Sequence, residues 1–333
     1  MDADIIEEFN GILGELLQST GGAISWTALS EIGWPDLLEE DGVAAVQTLF
    51  PNLAKNLTTT TALDAVALHG VGLGSGPDTI GVLFPLVVTN TYKEDLSVGA
   101  SVRVAGIVAR GGDEPLPASF MTVLATRDGQ TIVAVSDLAE IITAAPSAGL
   151  DPETGWRLIV DTEVEVTEIV ASGAEGQQRW NRSSELVRFA VATELAAISH
   201  IVLEMTSDHV RSRNQFGRPL GMFQAVKHRL AQAAVEAAAA DTTLAVAAKA
   251  IRDDRPGLSV LLARIQCGVA ATESLAHAQQ LFGAMGYSWE LPLHRYVRRA
   301  FMLDTIDGPL QSLELVLGKL ALAENELPRL EVF

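Results

Sequence analysis

Residues 213–231 read R-N-Q-F-G-R-P-L-G-M-F-Q-A-V-K-H-R-L-A, a tight cationic turn that runs into a long helix. Arg213 offers a planar fork of donors that matches phosphate oxygens. Phe216 offers a ring face, Gly217 allows close approach, and Pro219 presets φ where a helix opens. Together these residue types suit an anionic, partly flat ligand. A solvated basic stripe of Arg213, Arg218, Lys227, His228 and Arg229 is the plainer alternative.

Outward from this stretch the pattern is helical. Ser183 or Ser184 is placed to cap a helix reaching about Arg211, and Pro219 opens another that reaches about Ile251. Asp253-Asp254-Arg255-Pro256-Gly257 interrupts, Leu258 to Phe282 resumes, and two shorter helices follow Pro292 and Gly308. Helices of ~25 to 30 residues are about 40 Å long, which suits an antiparallel bundle over 174–333. The alanine-rich stretch from Ala231 to Ala250 allows close helix packing.

Residues 80–170 have a different texture. β-branched runs (82–88, 101–108, 120–126, 131–135, 156–161 and 164–170) alternate with turn residues, and Arg127-Asp128-Gly129-Gln130 reads as a hairpin turn. This defines a middle β domain over 77–173. Ahead of it, helical spacing at Ile5 to Leu17, Ser25 to Trp34 and Gly42 to Leu53 defines a small helical domain over 1–76. Trp26 and Trp34 are expected to pack that domain. Between these domains the glycine run 70–76 lacks a preceding strand and a following Lys-Ser/Thr, so it reads as a hinge and not a phosphate loop.

A formal net charge of −19 opposes nucleic acid and anionic lipid at long range. No uninterrupted apolar run of about 18 residues occurs, so the chain is expected to be soluble, without nucleic acid or membrane as partner. Cys267 is the single cysteine, which excludes an intrachain disulfide and fits a cytoplasmic protein. It reads as a small core residue. His200, His209, His228, His277 and His294 show no metal-ligand spacing, so no metal is expected.

Three motifs and the order of the domains resemble the acyl-CoA dehydrogenase family. Arg213, Phe216, Gly217, Phe223 and Gln224 match its R-x-x-F-G-x-x-x-x-x-F-Q segment. Gln280-Leu281-Phe282-Gly283-Ala284-Met285-Gly286-Tyr287 is similar to its Q-x-x-G-G-x-G-Y. Glu290 to Arg299 resembles E-x-P-x-x-R-x-x-R-D with Arg299 in place of the aspartate. The resemblance implies an N-terminal helical domain, a middle β-sandwich or barrel and a C-terminal antiparallel four-helix bundle. It also implies FAD as cofactor, an acyl-CoA substrate and electron-transfer flavoprotein or a similar acceptor. Within the family these segments reach a flavin held largely by the adjacent subunit, so Arg213, Phe216, Gln224, Gln280 and Gly283 become the cofactor-binding candidates.

The resemblance places the proton-abstracting base at Asp307, where the family has glutamate one methylene longer; a helix N-cap is the structural alternative. A second family position for the base falls on Val187, just before Arg188, and valine takes no proton. The flavin-wrapping segments of the family's β domain have only weak counterparts in Ala125-Thr126-Arg127-Asp128 and Val135-Ser136-Asp137. A chain that keeps the residues reaching a neighbour's flavin and lacks those holding its own is expected to pair with a full-length dehydrogenase subunit in a two-plus-two heterotetramer. The likeness to paired actinobacterial subunits extends the expectation to a steroid side-chain acyl-CoA. A self-sufficient flavoenzyme using Asp307 and a non-catalytic scaffold are the alternatives.

Overall fold

The computed structural model describes residues 9, 11–17, 22–74, 76–85, 91–92, 96–109, 116–126, 130–138, 141–142 and 155–323. It divides into two compact units, one of Met1–Thr48, Thr58–Ala190 and Thr305–Gly308, the other of Leu49–Leu57, Val191–Asp304 and Pro309–Phe333.

Helices α1 (Trp26–Glu31), α2 (Trp34–Glu40), the first half of α3 (Gly42–Asn56) and α4 (Ala62–Val71) belong to the first unit, and α3 from Leu49 to the second. Ser25 caps α1, its hydroxyl accepting from the Ala28 amide at 3.1 Å. The Trp34 indole is fully buried; its N–H donates to the Ala45 carbonyl at 3.0 Å, and the Trp26 ring meets it edge-on at 6.4 Å. The glycine run that reads as a hinge is helical at its start. Helix α4 continues through Gly70 and ends on Gly72, at φ 74°. Gly70 is a packing residue, since a Cβ there would stand 2.3 Å from Ser183 Cα.

Seven strands follow: β1 (Ile80–Val82), β2 (Phe84–Pro85), β3 (Thr91–Tyr92), β4 (Ser101–Val108), β5 (Ser119–Thr126), β6 (Thr131–Asp137) and β7 (Arg157–Ser172). The sheet order is β1-β5-β6-β7-β4-β2, with β3 also on β5. Since β1 and β2 lie on opposite edges with only Leu83 between them in sequence, the sheet must curl towards a barrel. Val102, Val104, Phe120, Leu124, Val164 and Val166 fill its interior. Strands β5 and β6 pair antiparallel as the hairpin pattern predicts, while residues 127–129 of the turn lie outside the described residues. The two expected strands at 156–161 and 164–170 are one strand, β7. Asp161, at φ 45°, lies where the register against β4 shifts between Val104 and Gly106, so a bulge bends the strand without ending it.

The helical part runs α5 (Gly173–Ser212), a short hairpin of β8 (Asn214–Gln215) and β9 (Arg218–Pro219), a 3-10 turn (Leu220–Met222), α6 (Gln224–Arg252), α7 (Gly257–Phe282), a second 3-10 turn (Gly283–Tyr287), α8 (Leu293–Thr305) and α9 (Leu310–Ala323). Two boundaries differ from expectation. Ser183 and Ser184 lie inside α5, where Ser183 Oγ donates to the Ala67 carbonyl at 2.8 Å and so does not cap a helix. Pro219 closes the hairpin, paired with Asn214, and the helix after it begins only at Gln224. Ala233, Ala237, Ala240 and Ala247 form the buried stripe of α6, which packs along α7. Both α5 and the segment Gly257–Tyr287 are long and apolar enough to cross a membrane, but most of each apolar window is buried within the protein, as in a core helix.

Candidate functional site

Three helix ends converge in the second unit. At the end of α5 the Arg213 amide donates to the His209 carbonyl at 2.9 Å, and the Arg213 carbonyl accepts from Leu220 at 2.8 Å, which closes the hairpin at its base. Its two-residue tip is Phe216 and Gly217, at φ 53° and 79°. Positive φ at both positions is the type I′ pattern that the twist of paired strands favours. Phenylalanine in the left-handed region costs about 1–2 kcal/mol, yet the Phe216 ring is 90% exposed. Phe223 meets that ring edge-on at 6.1 Å, with the Arg218 guanidinium 4.1 Å from the Phe223 centroid. The tip therefore leaves an apolar ring exposed, with Phe223 and its stacked Arg218 on one side.

The second motif ends α7. Gln280 is exposed, and Gly283 adopts φ 61°, ψ −134°, a conformation open essentially to glycine alone. Phe282 stacks on His209 with ring centroids 4.2 Å apart and planes at 30°. Arg229, in the second turn of α6, lies 3.2 Å from His277 Nδ1 on α7. These contacts gather the end of α5, the start of α6 and the end of α7 at one end of the bundle, and with them Arg213, Phe216, Gln224, Gln280 and Gly283. His209 was invisible as a site residue in the sequence; its one signal is the four-residue step to Arg213 on the same helix face. Burial, and then the Arg213 charge, hold its imidazole below the ordinary histidine pKa.

The residues present fit a flavin's pyrophosphate end. Arg213, Phe216, Gln224, Gln280 and Gly283 are all exposed. A Cβ added at Gly217 or Gly283 would meet no atom of this chain within 4 Å, so the space before both is open to a group from outside. Helix α6 starts at that same end without a side-chain cap, and a helix N-terminus favours an anion.

Asp307 lies elsewhere, in the first unit, at φ 61°. Its Oδ1 accepts from Ser184 Oγ at 2.8 Å and its Oδ2 from Arg188 Nε. Val187, at the other family position for the base, is buried. The N-cap alternative for Asp307 is replaced by another aspartate: the amide of Leu310, which opens α9, donates to Asp304 at 3.2 Å. Asp304 also accepts at 3.0 Å from Nη2 of Arg264, a fully buried side chain whose Nε and Nη1 have no partner. Arg299, the residue in place of the family's aspartate, has a buried partner in Glu194 at 2.6 Å. Of the weak β-domain counterparts, Ser136 is buried and Asp137 accepts from Ser119 Oγ at 2.8 Å, while residues 127 and 128 lie outside the described residues. Among the described residues no cluster of His, Cys, Asp or Glu is arranged to hold a metal.

Residues 176–322 match the family described as acyl-CoA dehydrogenase, C-terminal domain. The chain is 30% identical over 231 residues to acyl-CoA dehydrogenase FadE34 of Mycobacterium tuberculosis, covering 68% of this chain and 30% of that protein. It is 31% identical over 171 residues to acyl-CoA dehydrogenase IpdE2 of the same organism, covering 49% of this chain and 52% of that one. The chain thus spans only about a third to a half of the length of these curated relatives. Among solved structures, a steroid ACAD variant, Tcur3481-Tcur3483, has a TM-score of 0.72 at 19% identity, covering 97% of this chain and 98% of that one. The ChsE4-ChsE5 complex of M. tuberculosis has a TM-score of 0.69 at 18% identity, covering 97% of each chain. Butyryl-CoA dehydrogenase of Megasphaera elsdenii has 0.68 at 16%, covering 97% and 100%. At these identities the structural likeness establishes the fold, which is that of the acyl-CoA dehydrogenases.

Proposed function

We propose, for a chain whose residues 176–322 match the acyl-CoA dehydrogenase C-terminal domain family, that it is one subunit of a flavin-dependent acyl-CoA dehydrogenase and completes the FAD site of a full-length partner subunit. The observation that carries this reading is the outward cluster at the bundle end. There Phe216 lies exposed at positive φ at the tip of the hairpin that Arg213 closes, and no atom of this chain lies within 4 Å of a Cβ added at Gly217 or Gly283. In this role Arg213 binds a pyrophosphate oxygen pair, Gly217 and Gly283 let the backbone approach it, and Phe216 shields one face from water. Gln224 and Gln280 orient the cofactor through their amides. Bound FAD supplies the acceptor for a hydride leaving the substrate's β-carbon while a carboxylate takes the α-proton.

That carboxylate belongs to the partner in this reading, because both Asp307 oxygens are engaged by Arg188 and Ser184. A two-plus-two tetramer with two flavins follows, with electron-transfer flavoprotein or a similar acceptor receiving the electrons. A steroid side-chain acyl-CoA as substrate is supported by the likeness to a steroid ACAD.

The test is the ratio of flavin to chain. Purified alone, this chain is expected to be colourless; co-expressed with a full-length dehydrogenase it should yield a yellow complex with one FAD per two chains. Arg213→Ala should weaken FAD binding in that complex by about 10- to 100-fold, the loss of one charge-assisted, bidentate contact. A yellow, active oligomer of this chain alone overturns the proposal.

A further inference from the structure

We propose that His209 is a positioning residue of this site, its ring clamping the Arg213 turn to the Gly283 end so that the two present a single rigid face to the flavin. The inference rests on the reading of Arg213 to Gln224 and Gln280 to Gly283 as the FAD-completing face. Each segment is held mainly by local contacts. The hairpin closes on itself through Asn214–Pro219 pairing and the Leu220 amide. The Gly283 amide donates to Gln279, in the last turn of its own helix. Neither arrangement fixes the distance between Arg213 and Gly283, which are far apart in sequence.

His209 supplies a direct link between them, beside the packing of α6 on α7. Its carbonyl accepts from the Arg213 amide at 2.9 Å, and from Ser212 Oγ at 3.2 Å, so it belongs to the rigid last turn of α5. Its ring stacks at 4.2 Å on Phe282, the buried residue directly before Gly283. A ring pair so close tolerates little sliding, because offset stacking is favourable over a narrow range of geometry. Burial and the nearby Arg213 charge both favour the neutral imidazole, so the clamp adds no second cation to compete with Arg213 for its ligand.

The experiment uses the co-expressed heteromeric complex, with FAD as the titrated probe and the flavin absorbance spectrum as a second readout. His209→Ala is expected to raise the FAD dissociation constant about three- to tenfold and to shift the flavin bands. His209→Phe, which keeps a stacking ring, should restore both. If His209→Ala binds FAD as tightly as the wild type while Arg213→Ala loses it, the positioning role is wrong and the site reading stands. If neither variant changes FAD binding, the site reading falls with it. Should the alanine variant fail to assemble, His209→Leu fills the space without a ring, and wild-type FAD affinity in that variant would equally overturn the proposal.

Discussion

Asparagine at position 307 separates two roles for the carboxylate where the family resemblance puts the proton-abstracting base. Asp307→Asn keeps the shape of the side chain and its capacity to accept from Ser184, but leaves Arg188 facing a neutral amide. The side chains of Arg188 and Asp307 are 26% and 11% exposed, between the regimes of surface and buried pairs. Surface ion pairs contribute about 0–1 kcal/mol and a buried charge stripped of its partner costs about 3–5. The expected loss is therefore about 1–2 kcal/mol, seen as a fall of about 2–6 °C in the unfolding midpoint. A catalytic base contributes about a hundredfold or more to rate. If Asp307 only holds Arg188 in place, turnover of the co-expressed complex on a steroid side-chain CoA thioester should stay within about twofold of wild type per bound FAD. The assay pairs steady-state turnover, normalised to flavin content, with a thermal scan. A hundredfold fall in turnover at full FAD occupancy would show that Asp307 is the base and that this subunit carries its own chemistry.

Asp304→Ala should be the more damaging substitution for stability, at about 3 kcal/mol by urea unfolding. It strips the fully buried Arg264 of a charged partner and α9 of its first-turn acceptor; a loss under about 1 kcal/mol would mean that Arg264 finds another partner. Burial pushes the Cys267 thiol far up in pKa, so the folded chain should resist a thiol-reactive disulfide at pH 8, and urea should release the single thiol; rapid labelling of the native chain contradicts this. Because the folded His209 has its pKa depressed below the ordinary 6.5, the unfolded chain binds more protons between those two values. The stability contributed by the neutral ring is thus complete above about pH 6.5 and is lost as pH falls towards the folded value. Unfolding midpoints from pH 7.5 to 5 should fall more steeply for wild type than for His209→Phe, and parallel curves would deny the effect.

Much of the bundle was legible in the sequence. Breakers at 253–257, Pro292 and Gly308 bound the periodic runs, and α7, α8 and α9 begin within a residue or two of them. The alanine-rich stretch 231–250 likewise signalled close packing, which the buried Ala233, Ala237, Ala240 and Ala247 of α6 provide. Two helix starts were misread because capping residues are local signals that tertiary partners can override. Ser183 serves the Ala67 carbonyl, and Pro219 serves a hairpin. The strand at 157–172 was divided where a bulge only bends it.

The same division runs through the site. Sequence alone determined which residue types could meet an anionic flavin, because Arg213, Phe216, Gln224, Gln280 and Gly283 carry that chemistry at family spacing. Only the tertiary structure decided which groups are spoken for. It gave Asp307 to Arg188, Asp304 to Arg264 and α9, Glu194 to Arg299, and the His209 ring to Phe282. Helical periodicity belongs to a single stretch of chain and can be read along it. A side chain's partner depends on which distant turn of helix packs within hydrogen-bond or ring-contact distance, and that separation is set by the packing of whole helices.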